Sequence, residues 1–291
     1  MDVLLPLQVL ANGLVLGGLY ACIAAGFSLV WGVLNVINIT HGSSVVIGSY
    51  VAYLAYTYGG IHPFLAVGLA MVILFGIGYV VQAGIINRVV AAPVLTTLTL
   101  TFGLELLFNN SLLVMFKADY LKLNLANPFG VLDLGGIRVP MDRLVAMGLA
   151  LLLTALLYWL LNASRVGRAI VAVRMDREAA ALLGVKVKRI YAVTFALGAA
   201  MAGAAGVLTS LIFPISPLNS TLYLGKAFVI CVLGGLGSVP GALVGGIALG
   251  IIESFGGLIL GPEHAMTLSF LLLILLLIFR PMGIMGKRGY E

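Results

Sequence analysis

Glu105 and His41, within or beside long apolar stretches of this 291-residue chain, have the chemistry to move a proton or gate a passage. Glu105, in LTLTFGLELLFNN, lies near the middle of its stretch. An ionisable group at such a position costs roughly 2.5–3.5 kcal/mol on insertion scales, so it must face protein or water rather than lipid. It reads either as a pathway or coupling residue or as a buried structural hydrogen-bonding group to a threonine, Asn109 or a backbone carbonyl. His41 closes a polar cluster with Asn35, Asn38 and Thr40, just after the first apolar run. An imidazole there can titrate or gate, or simply bond to a neighbouring helix. Glu253 lies nearer the end of its run, where the plain structural reading is stronger.

Other chemistry is poorly supported. His41, His62 and His264 fall in different segments without paired spacing, so neither a metal site nor an acid–base pair is expected. Cys22 and Cys231 both sit inside apolar runs and read as small packed hydrophobes, not as a disulfide framework. Gly225-Lys226-Ala227 and Gly286-Lys287-Arg288 lack the Ser/Thr and glycine-rich lead of a phosphate loop. GGLGSVPG at 234–241 fails the dinucleotide fingerprint at its last position. The chain itself is expected to bind no ATP, no metal and no other cofactor.

The elements that must position these groups are membrane helices. The chain is 62% hydrophobic and 9% charged, against about a quarter charged in soluble domains, and its apolar runs reach spanning length. They lie at about 7–31, 36–57, 64–87, 95–116, 143–162, 191–213, 225–258 and 266–280, with ends uncertain by roughly 2–4 residues. The expected fold is all-α: a polytopic transmembrane bundle of about eight or nine spans, one broken or re-entrant, in a single domain over 1–291. The N-terminus, MDVLLPLQVL, reads as the start of the first span and not as a removed signal peptide.

Seven of the sixteen basic residues lie in one loop, 164–190: Arg165, Arg168, Arg174, Arg177, Lys186, Lys188 and Arg189. Only Asp176 and Glu178 oppose them. The net charge of +6 is therefore better explained by a cytoplasmic, lipid-facing loop than by nucleic acid. The near-neutral loop 117–142 suits the outer face. Counting spans back places the N-terminus outside, and counting forward places the C-terminus, with Lys287 and Arg288, inside. The run 225–258 must then start and finish outside. Gly234, Gly235, Gly237, Ser238 and Pro240 break it. The break reads either as a discontinuity on a substrate path or as a tight helix–turn–helix packed through Gly241, Gly245, Gly246 and Gly250.

Within the basic loop, Asp176 is placed to cap a short helix over 177–183, with Glu178 in its first turn and Gly184 as a left-handed terminator. A second short helix is expected over 167–175, with Arg168 and Arg174 on its polar side. So short a helix is marginal alone. Its small residues and capped start point to docking of a soluble partner, whereas a loop that only sets topology needs neither.

Five stretches together resemble the LivH-type permease of branched-chain amino acid ABC importers. They are GLYACIAAGFSLVWGVLNVINITHG (18–42), Arg88 ahead of the 95–116 run, SRVGRAIVAVRMDREAAALLGV (164–185), GKAFVICVLGGLGSVPGALVGGIALGIIE (225–253) and FRPMGIMG (279–286). The resemblance implies a bacterial inner-membrane permease subunit working by alternating access, not an enzyme. Its implied partners are a second homologous permease, two cytoplasmic ATPases that bind ATP and Mg, and a periplasmic or lipid-anchored solute-binding protein. It also implies that the loop couples to the ATPase, on the match at Gly167, Arg168, Ala169, Asp176, Arg177, Glu178, Ala179, Ala180 and Gly184, with Arg174 alongside. Met175 stands where a polar residue is more usual. The implied substrate is a branched-chain or other apolar amino acid, although related permeases carry urea, short amides or sugars. A rival of another class is a stand-alone proton-coupled transporter or channel for a small polar solute, with Glu105 or His41 carrying the proton.

Overall fold

The computed structural model describes residues 4–90, 92–123, 130–261, 264–279 and 283–285. Eleven α-helices run among these residues: α1 (Leu4–Leu34), α2 (His41–Gly59), α3 (Pro63–Gly84), α4 (Val94–Phe116), α5 (Met141–Ala163), α6 (Arg165–Met175), α7 (Arg177–Leu182), α8 (Val187–Ser210), α9 (Ser220–Gly234), α10 (Val239–Leu260) and α11 (Ala265–Phe279). Two short strands, β1 (Val131–Leu134) and β2 (Ile137–Pro140), form an antiparallel hairpin between α4 and α5. The basic tail at Lys287 and Arg288 lies outside the described residues.

Seven of these segments are long and apolar enough to cross a membrane. They include α10 and the stretch Pro217–Gly234, which joins a 3-10 turn to α9. The broken run is thus two helices meeting at a turn over 235–238. The helices α2 and α11 complete the bundle. In α2, His41, three serines and four tyrosines interrupt the apolar residues, and α11 is short.

The centre is α1 with α8. Both are buried along most of their length, unlike α4, where the inward side chains are Thr97, Thr101, Glu105 and Leu112. Small residues set this contact: an added Cβ on Gly198 would come within 2.9 Å of the Gly26 carbonyl oxygen. Likewise Gly246 of α10 lies against Ala21 of α1, and Gly250 against Gly17. Such contacts bring backbones together where lipid offers no hydrophobic drive for association. Gly245 and Gly241 pack α10 on α9 in the same way.

One end of the bundle carries α6, α7, the 235–238 turn and the last described residues. Ile284 N–H donates to the Leu233 carbonyl at 2.8 Å and Met285 N–H to Gly234 at 3.0 Å. These bonds satisfy carbonyls at the end of α9 that the helix cannot. The other end carries the hairpin, which Gln8 of α1 holds by donating to the Arg138 carbonyl at 2.9 Å.

Candidate functional site

The α6–α7 segment is built as its residues dictate. Ser164 Oγ accepts from Gly167 N–H at 2.8 Å and starts α6. Gly167 is buried against the Leu160 and Leu161 backbone, a gap that any side chain would fill. The α5–α6 corner is therefore tight. Asp176 then caps α7: one carboxylate oxygen accepts from Glu178 N–H at 2.8 Å and from Ala179 N–H at 3.0 Å. Gly184 ends the segment at φ +84°, in the left-handed region glycine enters without penalty.

Two side chains differ from expectation. Arg174 does not face solvent with Arg168. It lies half-buried, its guanidinium beside Gly237 in the α9–α10 turn, where the missing side chain leaves room. Ala180 points inward and is buried, while Arg177, Glu178 and Ala179 are exposed. The surface that α7 offers outward instead ends in Leu182 and Leu183, 90% and 84% exposed, with Met175 at 75%. Leu182 and Leu183 thus form a bare apolar tip on a capped turn.

A cavity of about 520 Å³ opens behind this segment, between α6–α7 and the ends of α1 and α4. Asn35, Thr97, Arg174, Asp176 and Tyr191 are in its wall. Asn35 has φ +52°, a backbone state asparagine tolerates better than most residues, and turns the chain back into the bundle.

The polar cluster that follows is buried. Thr40 Oγ1 donates to Asn38 Oδ1 at 2.6 Å. His41, fully buried, sets Nε2 2.9 Å from the Ile23 carbonyl and packs edge-on to Phe27. Ile23 lies eleven residues before the end of α1, so α2 begins about 16 Å inside that end at 1.5 Å per residue. Glu105, the central residue of the 23-residue α4, reaches the same depth. Its carboxyl faces Ser43 and Ser220. Below it Thr101 Oγ1 donates to the Ile37 carbonyl at 2.8 Å. Thr97, Thr101, Glu105 and Asn109 recur every fourth residue, so they line one face of α4 from the cavity inward.

The glycine joint sits elsewhere. Gly234 packs on Gly241, Gly235 and Gly237 take φ of +105° and +75°, Ser238 Oγ accepts from Gly241 N–H at 3.0 Å, and Pro240 opens α10. This is a close-packed turn at the α6–α7 end, touching Gly32 of α1 and Arg174. The cavity and the joint thus share that end, with Arg174 common to both, and Glu105 lies deeper.

Reasoning from the sequence missed an ion-pair network. Lys226 Nζ lies 2.8 Å from Glu253 Oε2. Tyr20 Oη donates to the same oxygen at 2.7 Å, Ser269 Oγ donates to Oε1 at 2.9 Å, and Lys226 also reaches Tyr20 Oη. Four helices meet there: α1, α9, α10 and α11. The signal was present as two opposite charges within one apolar run.

Comparison with known proteins agrees with this architecture. The family described as "Branched-chain amino acid transport system / permease component" matches residues 9–278. The chain is 34% identical to the high-affinity branched-chain amino acid transport system permease protein BraD of Pseudomonas aeruginosa, over 98% of this chain and 97% of that protein. It is 35% identical to LivH of Escherichia coli, over the same shares of each. LivM, a further permease protein of that system in Escherichia coli, is 33% identical over 50% of this chain and 35% of its own length. No solved structure matches. With whole-length relatives, a matching family profile and a multi-pass helical bundle, the chain belongs to the permease-component family of branched-chain amino acid transport systems.

Proposed function

We propose that this chain is a transmembrane subunit of an ATP-driven importer that moves branched-chain or other apolar amino acids inward across a bacterial inner membrane. It pairs with a second, homologous permease. Two cytoplasmic ATPases hold ATP and Mg and perform the hydrolysis, and a periplasmic or lipid-anchored binding protein delivers the substrate. The α6–α7 end is cytoplasmic, as its basic residues require. The N-terminus lies outside.

The observation that carries this reading is the capped helix α7, which holds Leu182 and Leu183 bare at the tip of a basic loop. Neither leucine stabilises the subunit on its own. Both fit insertion into a cleft of a soluble partner. Movement of that partner reaches the bundle by two rigid links. One is the Ser164–Gly167 corner into α5, and the other is Arg174 against Gly237, where α9, α10 and α1 meet. Shifting both opens or closes the cavity behind α6–α7, which is alternating access in outline.

The test is co-purification of the tagged chain from its own membranes, comparing wild type with Leu182→Glu/Leu183→Glu. Recovery of a second permease and an ATPase with wild type, and loss of the ATPase alone with the variant, is the expected result. ATPase retained at wild-type level would overturn the docking role. Uptake by the purified chain alone, driven by a pH gradient, would replace the importer with a proton-coupled transporter.

A further inference from the structure

Helix α4 is polar on two opposite faces, and this subunit covers only one of them. Thr97, Thr101, Glu105 and Leu112 face inward. On the other side Thr96, Thr99, Gly103, Leu106 and Asn110 are exposed, and nothing in the subunit comes within 4 Å of a Cβ built on Gly103. With the half-buried Leu113 they are spaced alternately three and four residues apart, as the a and d positions of a seam between two helices are. The same helix is the least buried of the seven spans.

This outward face does not suit lipid. At 1.5 Å per residue the 23-residue α4 is about 34 Å long, with Thr99 and Asn110 about 8 and 9 Å from its ends. Both positions fall within a hydrocarbon layer of about 30 Å. Thr99 Oγ1 donates to the Leu95 carbonyl at 2.8 Å, and Asn110 Nδ2 to the Leu106 carbonyl at 2.7 Å. The Asn110 amide also has a second N–H and a carbonyl oxygen, to which hydrocarbon offers no partner. Other spans turn outward what lipid accepts: Leu65 and Val72 on α3, Leu152 and Trp159 on α5, Ile274 and Ile278 on α11.

We propose that this face of α4 is the seam with the second permease. Its occupant must lie along α4 at membrane depth from Thr99 to Asn110, about 16 Å, where neither a soluble ATPase nor a binding protein reaches. Of the importer's chains, the second permease alone shares the membrane with this one. A spanning helix of that partner packs on Gly103, where the backbones approach most closely, and meets Asn110 with a hydrogen-bonding side chain. A single polar residue in such a seam fixes the register of the pair. The seam also adjoins the cavity behind α6–α7, since Val94 and Thr97 at the start of α4 are in its wall. One helix therefore borders both the cavity and the partner. The inference rests on the paired-permease reading above and adds the surface through which the pair forms.

The experiment uses the assembled transporter in its own membranes, with the photo-crosslinking amino acid p-benzoylphenylalanine in place of Thr99 or, as a lipid-facing control, of Val72 on α3. Irradiation should join the Thr99 position to the second permease, identified by mass spectrometry, and the Val72 position to no protein. In parallel, Gly103→Leu should cut recovery of the second permease with the tagged chain about tenfold. Gly76→Leu, at an equally open glycine of α3, should leave that recovery unchanged. The amount of tagged chain in the membrane should match wild type in both variants. With the second permease still recovered by wild type, three results each overturn the seam alone: an adduct between two copies of this chain, no protein adduct from the Thr99 position, or full recovery with Gly103→Leu. Wild type that recovers no second permease overturns the paired-permease reading as well.

Discussion

The Lys226 ammonium and the Glu253 carboxylate form a 2.8 Å ion pair inside the bundle, between α9 and α10, with side chains only 12% and 7% exposed. Tyr20 contributes twice, as a hydrogen-bond donor to Glu253 and as a ring face 4.3 Å from the ammonium. Removing one partner strands a charge where water cannot reach it. Lys226→Met or Glu253→Gln should therefore cost about 3–5 kcal/mol, whereas Lys226→Met combined with Glu253→Met should recover most of the loss. Melting temperatures in detergent for the two single variants and the double variant decide this. A double variant no better than the worse single one would mean that the pair is not the coupled unit.

Asp176 is separable from the bundle, because it acts on two N–H groups of one short helix. Asp176→Ala should destabilise α7 by about 0.5–2 kcal/mol and Asp176→Asn by much less. Amide exchange at Glu178, Ala179 and Ala180 should rise in the alanine variant while the core helices stay protected. Unchanged exchange would remove the capping role.

The order of the helices, the break at 235–238, the Asp176 cap and the Gly184 terminator were legible in the sequence because each is local. They depend on apolar run length, on Pro240, on one carboxylate ahead of an alanine run, and on one glycine. The hairpin was written just as locally, since Gly135-Gly136 between VLDL and IRVP is a two-residue turn signal, but four-residue strands are easily lost in a chain dominated by helices. The inward turn of Arg174 and the burial of Ala180 were not legible. Both depend on what α9–α10 and α8 bring to that end. Lys226 likewise finds Glu253 only once the 235–238 turn folds the two helices together. Glu105 was recognisable as anomalous from its position, but Ser43 and Ser220, its neighbours, lie 62 residues before it and 115 after it in the chain.

The hairpin carries a pH dependence of known sign. Asp133 accepts from Gly136 N–H at 2.8 Å and from Arg138 Nε at 3.2 Å, and these bonds hold its carboxyl below its ordinary value. A group with a lowered folded value stabilises the hairpin above its unfolded value, near 3.9, and loses that contribution as pH falls through the folded one. Exchange protection of the Gly136 amide should fall over that acidic window, and Asp133→Asn should flatten the dependence. Protection that rises on acidification would contradict the assignment.

Gly184 and Gly250 separate two reasons for glycine. No atom lies within 4 Å of a Cβ built on Gly184, but its φ is +84°; Gly250 is helical, and its Cβ would strike the backbone of Gly13 and Gly17. Gly184→Ala should therefore cost only the left-handed strain, about 1–2 kcal/mol, confined to the end of α7. Gly250→Ala gains helix propensity, yet it must push α10 off α1, and overpacking of this kind costs about 1–3 kcal/mol. The outcomes differ in kind as well as size. Gly184→Ala should leave the melting temperature of the chain unchanged and loosen exchange only near Leu182 and Leu183, whereas Gly250→Ala should lower the melting temperature itself. If Gly250→Ala melted with wild type, the α1–α10 contact would have slack, and the small-residue packing would not be what fixes the centre of the bundle.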